Sequence, residues 1–256
     1  MAIYRIDNVE RSGIGQYGKA IWNFPEAYND AKDGDVLEIQ SNVIVDLNSY
    51  QPYYSSNFVS NEQCSLLFYI SKRITIKGTT GSGILGFFYV DNTSVVLKDI
   101  SIGSQGYESI YHSSVCEFDN VSFIKTSKDE YGSVEFQEST AKINNCWFNE
   151  DYSMGSTQGL VVDNSKLEIS NTSFFARTNI MNNSEVSFNN CFQCASGQTW
   201  CDFVVNNSAI ELTDSRICLP ETLPEHVEAG DKYFVNLKQC KFNMINTVIE
   251  GSMYIE

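Results

Sequence analysis

Clusters of acidic and aromatic residues recur along the chain: Tyr107 with Glu108, Asp129 with Glu130 and Tyr131, Glu150 with Asp151 and Tyr152, and Trp200 with Asp202. An aromatic face can lie against a sugar ring while a neighbouring carboxylate accepts hydroxyl hydrogen bonds or holds Ca²⁺. Aligned side by side, these residues would form an acidic aromatic strip suited to a glycan. The plain alternative is a solvated acidic side with scattered aromatics, because exposed apolar groups are ordinary on protein surfaces.

Other reactive side chains are sparse. The histidines are His112, beside Ser113 and Ser114, and His226, in the acidic insertion Pro220–Glu225. Neither is flanked by a recognisable triad, so both read as ordinary surface or loop histidines. Cys191, Cys194 and Cys201 come nearest to a metal cluster, but a fourth ligand is not evident, and buried thiols are the simpler reading. Cys64 and Cys218 stand as unassigned singles.

The balance of 17 basic against 32 acidic residues gives a net charge of −15. That charge repels phosphate backbones and anionic headgroups, so nucleic acid and membrane surfaces are poor partners. No segment approaches the run of about 18 apolar residues that a membrane-spanning helix needs. The N-terminal residues lack a basic region followed by an apolar run, so no secretory signal is visible. Cysteines read as reduced suggest the cytoplasm, and localisation is left open.

The elements that must position these residues emerge from a repeat. Apolar anchors stand at Leu97, Phe118, Ile143, Ile169, Phe188, Leu212 and Leu237, roughly 19 to 26 residues apart, within or near the about 20–50-residue period of solenoids. Two residues earlier come Val95, Cys116, Ala141, Leu167, Val186, Ile210 and Val235, an alternation with the two-residue period of a strand.

Three and five residues after each anchor the inward set moves to odd offsets, as in Val121 and Phe123 or Cys146 and Phe148. One straight strand cannot make that change, so a corner must separate two short strands. The corner position holds Asp99, Asn120, Asn145, Asn171, Asn190, Asp214 and, irregularly, Gln239. Asn and Asp tolerate the left-handed backbone of a sharp bend, and their side chains can hydrogen-bond from coil to coil. In the fifth copy the expected aromatic falls at Phe192 instead of residue 193, which predicts a bulge or shortened turn there.

Earlier coils are expected at Gly34–Ile39 and Ile74–Gly78, with a Tyr- and Ser-rich excursion over residues 50–60. Phe24, Ala27, Tyr28 and Ala31 have helical spacing, with Pro25 near the start and Gly34 past the end. This predicts a short helix covering the open N-terminal end. The expected organisation is an all-β solenoid: residues 1–60 as cap and first coil, continuous with repeats over residues 61–256.

Alternating strand, asparagine corner and second strand at this period resemble the pectin lyase-like superfamily of right-handed parallel β-helices, over roughly residues 60–256. The resemblance implies the fold and a groove on the outer face. It does not extend to the enzymes' motifs: the Gly-His-Gly and Arg-Ile-Lys segments of polygalacturonases and the Asp-Pro-His signature of alginate epimerases are missing from the sequence. The arginines Arg5, Arg11, Arg73, Arg177 and Arg216 match no lyase motif.

The expected function is therefore a non-catalytic interaction protein presenting stacked loops to a glycan or a protein. The alternative is a polysaccharide lyase or glycoside hydrolase using loop carboxylates, a reading that rests on fold analogy. No cofactor is expected, with bound Ca²⁺ and a homo-oligomer left open.

Overall fold

A computed structural model describes residues 1–15, 18–60, 66–104, 108–125, 133–148, 158–175, 177–194, 203–218, 235–251 and 253–256. The architecture is a right-handed parallel β-helix, built from a 17-stranded sheet, a 10-stranded sheet and one small antiparallel pair. The 17-stranded sheet turns over at a corner and supplies two faces of the solenoid. The 10-stranded sheet is the third face.

One complete coil shows the plan. Strand Phe88–Asp91 of the third face leads through Asn92 into Ser94–Ser104, which runs over the Asp99 corner. Strand Val115–Lys125 of the next coil pairs with it in parallel register along nearly its whole length. Alternation sends Val95, Leu97, Ile100 and Ile102 into the core, all nearly fully buried.

The predicted anchors lie in one inward row. Tyr4, Leu37, Ile76, Leu97, Phe118, Ile143, Ile169, Phe188 and Leu212 are successive register partners from coil to coil. Inside, Phe123 stacks on Phe148 and Phe148 on Phe174, each pair with ring centroids 4.8 Å apart. Such offset ring contacts add to what the buried area contributes.

The seventh copy departs from expectation. Met244, not Leu237, is the register partner of Leu212, and Asn246 makes the corner with φ +48°. Leu237 belongs to the third face, between Val205 and Ile255. The Val-x-Leu alternation at 235–237 has the same two-residue period as the real copy, so sequence pattern alone could not tell the two faces apart.

Asp99, Asn120, Asn145, Asn171, Asn190 and Asp214 all adopt φ between +49° and +55°. Several are linked along the solenoid: Asn120 donates to Asp99 at 2.9 Å, Asn190 to Asn171 at 2.8 Å, and Asn246 to Asp214 at 2.6 Å. Asn145 and Asn171 instead donate to Asp119 and Asn144, the residues just before neighbouring corners.

A second series of corners, unnoticed in the sequence, joins the third face to the first. It runs through Asn92, Ser113, Glu138, Asn164, Asn183, Asn207 and Gln239, with φ of +47° to +65°. Gln239 is thus a regular member of this series. Immediately after these corners comes a buried row of Ser114, Ser139, Ser165, Ser184 and Ser208. Each hydroxyl accepts a backbone N–H from the preceding coil, at 2.9–3.2 Å for the links Ser114 to Ser139, Ser139 to Ser165, Ser165 to Ser184 and Ser184 to Ser208.

Ser139 Oγ also lies 2.8 Å from both the Tyr111 and the Gln137 carbonyls, so its hydroxyl accepts one buried N–H and donates to a neighbouring carbonyl. Ser139→Ala leaves the buried Ser114 N–H without its hydroxyl partner, at a cost of about 1–3 kcal/mol. Urea unfolding of that variant is expected to show a lower midpoint with an unchanged slope. An unchanged midpoint would mean that the row contributes nothing to stability.

The fifth copy has no bulge. Its register runs unshifted from Ser173 and Phe174 to Phe192 and Gln193, and on to Arg216 and Ile217. Gln193 points inward in the place of an aromatic because a partner waits for it: the hydroxyl of fully buried Thr178 donates to Gln193 Oε1 at 2.9 Å. Phe192 points outward and packs on Phe175, with centroids 5.7 Å apart. A buried hydrogen-bonded pair thus replaces the apolar residue that the pattern demanded.

The predicted helix spans Phe24–Asp30. Asn23 caps it by accepting the Glu26 N–H at 2.8 Å, and Pro25 sits in the first turn, where no donor is lost. Phe24 and Tyr28 each meet the ring of Phe68 edge-on at 5.2 Å, which covers apolar surface of the first coils. The Tyr- and Ser-rich excursion forms a turn of helix at Leu47–Tyr50, a 3₁₀ turn at Ser55–Asn57 and strand Phe58–Ser60. Among the described residues, no helix is long and apolar enough to cross a membrane.

Candidate functional site

Alternation on the third face sends one row of side chains outward. In strand Leu66–Ile70 this is Tyr69; in Phe88–Asp91, Tyr89 and Asp91; in Glu108–His112, Ile110 and His112. Register places Tyr69 beside Tyr89, and Asp91 beside His112. Parallel, unshifted pairing is what brings residues 20 or so positions apart in sequence within contact distance.

The two tyrosine rings stack with centroids 5.9 Å apart and planes 21° from parallel. Tyr69 Oη donates to Asp91 Oδ2 at 3.3 Å, and Asp91 Oδ1 lies 2.8 Å from His112 Nδ1. An ionised carboxylate only accepts, so Nδ1 carries the proton and Nε2 faces Ser113 Oγ at 3.5 Å. Ser113 Oγ is also 3.5 Å from Glu138 Oε2, and Gln137 donates to Glu135 at 2.8 Å in the next coil.

This cluster is about one-third exposed at His112 and Asp91, with side-chain values of 35% and 30%. Burial, and then the negative charge of Asp91, raise the Tyr69 and Tyr89 phenols above their ordinary value. Both therefore keep their proton at neutral pH and act as donors. The surface combines a flat aromatic platform, phenol donors, a carboxylate acceptor and an oriented imidazole. Those groups can stack on a ring, bond its hydroxyls and, at His112, take or give a proton.

The predicted strip residues Tyr107, Asp129, Glu130, Tyr131, Glu150, Asp151, Tyr152, Trp200 and Asp202 lie outside the described residues, as do His226, Cys64 and Cys201. In the chain, the strip residues occupy the segments that lead into third-face strands beginning at Glu108, Ser133, Gln158 and Phe203.

In the sequence His112 reads as an ordinary histidine, and nothing singles out Asp91. The missed signal was positional: each residue directly precedes a corner of the second series, Asn92 and Ser113.

The remaining candidates resolve into structure. Arg216 is engaged by Glu250, with Nη2 2.6 Å from Oε1. Cys146 and Cys191 are buried in the row that Thr172, Ser215 and Thr247 complete, and burial pushes their thiols up to about 12 and about 11. Cys240 does not share that row; it follows Gln239 and ends the serine row instead. Among the described residues, no group of three His, Cys, Asp or Glu side chains is placed to hold a metal ion.

No protein-family model matches this chain, and no curated protein matches it in sequence. Among solved structures, pectate lyase Pel9A superposes with a TM-score of 0.50 at 12% identity, over 100% of this chain and 78% of that one. A PL6-family alginate lyase, AlyGC, gives 0.42 at 12% identity, over 100% of this chain and 40% of the other. The likeness to the pectate lyase shows a shared fold, a parallel β-helix.

Proposed function

We propose that the protein binds a glycan on the outer side of the 10-stranded sheet without cleaving it. The observation that carries this reading is the stacked Tyr69–Tyr89 platform beside the Asp91–His112 pair, a flat apolar surface edged by polar groups on a rigid sheet. The acidic net charge favours a neutral glycan, with a Ca²⁺-bridged uronate as the acidic counterpart. The strip residues from Tyr107 to Asp202 extend this reading, as further contacts from the segments entering the same sheet. Pel9A, by its name a lyase of pectate, places a carbohydrate-active protein on this fold, as analogy only.

One observation favours a second reading of the same cluster. Asp91 orients His112 as a carboxylate orients a general base, which is an arrangement that a polysaccharide lyase or hydrolase would use.

A glycan-array screen with and without Ca²⁺, followed by an assay for shortened or unsaturated product, separates the two. Binding without product is the expected result. Product formation that His112→Ala abolishes would establish the enzymatic reading, and absence of binding to every glycan would overturn both.

A further inference from the structure

Cys194 and Cys218, which nothing in the sequence pairs, are brought together by the fold. They are the terminal residues of strands Phe192–Cys194 and Arg216–Cys218, and they are direct register partners on adjacent parallel strands. Neighbouring strands run about 4.7–4.9 Å apart. That spacing falls inside the Cα separation of about 4.4–6.8 Å that a disulfide spans. Both thiols are free and buried, at 2% and 6% exposure, and they hydrogen-bond to each other.

The thiols of the inward rows lack this relation. Between Cys146 and Cys191 stands Thr172, and Cys116 faces Val95 and Ala141 in its own row. Side chains in parallel register point the same way, so bridging asks the two Cβ atoms to draw slightly closer. Strand ends can give where strand centres cannot, and both cysteines are strand ends.

We propose that Cys194 and Cys218 are an oxidation site that closes an inter-coil disulfide by exchange with a small-molecule disulfide. One thiolate attacks a sulfur of the reagent and expels a thiolate, forming a mixed disulfide. The second cysteine thiolate then attacks the protein sulfur and expels the other reagent thiolate. The protein is oxidised by two electrons and the reagent is reduced to two thiols, whose protons replace those lost by the cysteines.

The chain continues from these two cysteines directly into residues 195–202 and 219–234, the first of which contains Trp200 and Asp202. The bond would tie the stems of both segments to one another.

Burial, with Cys194 beside it, pushes the Cys218 thiol up to about 12. Closure is therefore expected to accelerate as pH rises, because the thiolate is the attacking form.

The test incubates the full-length protein, folded, with bis(2-hydroxyethyl) disulfide across a pH series, then alkylates under denaturing conditions and maps the peptides. Expected is a loss of two of the eight thiols, a mass lower by two hydrogens with no adduct, and a peptide linking residues 194 and 218. Cys194→Ser and Cys218→Ser should each abolish the link. A persistent mixed disulfide on the wild-type protein, a link to any other cysteine, or retention of all eight thiols would overturn the proposal.

Discussion

Truncating Phe118 to alanine is expected to lower stability by about 3–5 kcal/mol, the largest single loss in the described core. Phe118 is fully buried and touches three other rings: Tyr111 at 5.1 Å, Phe123 at 5.5 Å and Phe136 at 5.7 Å between centroids. Together with Phe118 itself those rings come from all three faces of two adjacent coils, so the gap left behind cannot close by moving one strand. Repeat proteins are held by nearest-neighbour contacts, so the damage should be local before it is global.

Denaturant unfolding would measure the loss. Hydrogen exchange should show protection falling first in strands Val115–Lys125 and Ser133–Gln137. Exchange that quickened uniformly along the chain would argue against a coil-by-coil core.

The second large effect concerns the surface. Tyr89→Ala is expected to weaken glycan binding about 30-fold, equivalent to about 2 kcal/mol, the loss typical of a central aromatic contact. Tyr89 lies between Tyr69 and Ile110 in register, so its removal interrupts the platform at its centre. Its ring points out of the sheet while Phe88 and Val90 on either side stay in the core. The fold should therefore survive the change. Tyr89→Phe, which keeps the ring and loses the phenol, should lose far less affinity. Equal losses in both variants would mean that the hydroxyl, not the stacking face, makes the contact.

Sequence pattern revealed the architecture where local chemistry repeats. The anchors from Leu97 to Leu212 and the Asn and Asp corners beside them are legible because burial demands the alternation and a left-handed bend favours those residue types. The second corner series was not legible as a whole: Asn92, Asn164, Asn183 and Asn207 suit such a bend, but Ser113, Glu138 and Gln239 interrupt the pattern. A usable sign stood one position later, in the recurrent Ser114, Ser139, Ser165, Ser184 and Ser208.

Without that series Leu237 reads as an anchor of the wrong face, and Asp91 and His112 do not stand out as occupants of one position in successive coils. Gln193 shows a different limit: a buried amide reads as a defect until its partner Thr178, fifteen residues upstream on another face, comes into view.

The most direct test of the account is hydrogen–deuterium exchange of the wild-type protein with and without a glycan found in the array screen. Slowed exchange is expected in Leu66–Ile70, Phe88–Asp91 and Glu108–His112, the strands that carry Tyr69, Tyr89, Asp91 and His112. Slowed exchange confined to the two faces of the 17-stranded sheet, with these strands unchanged, would contradict it.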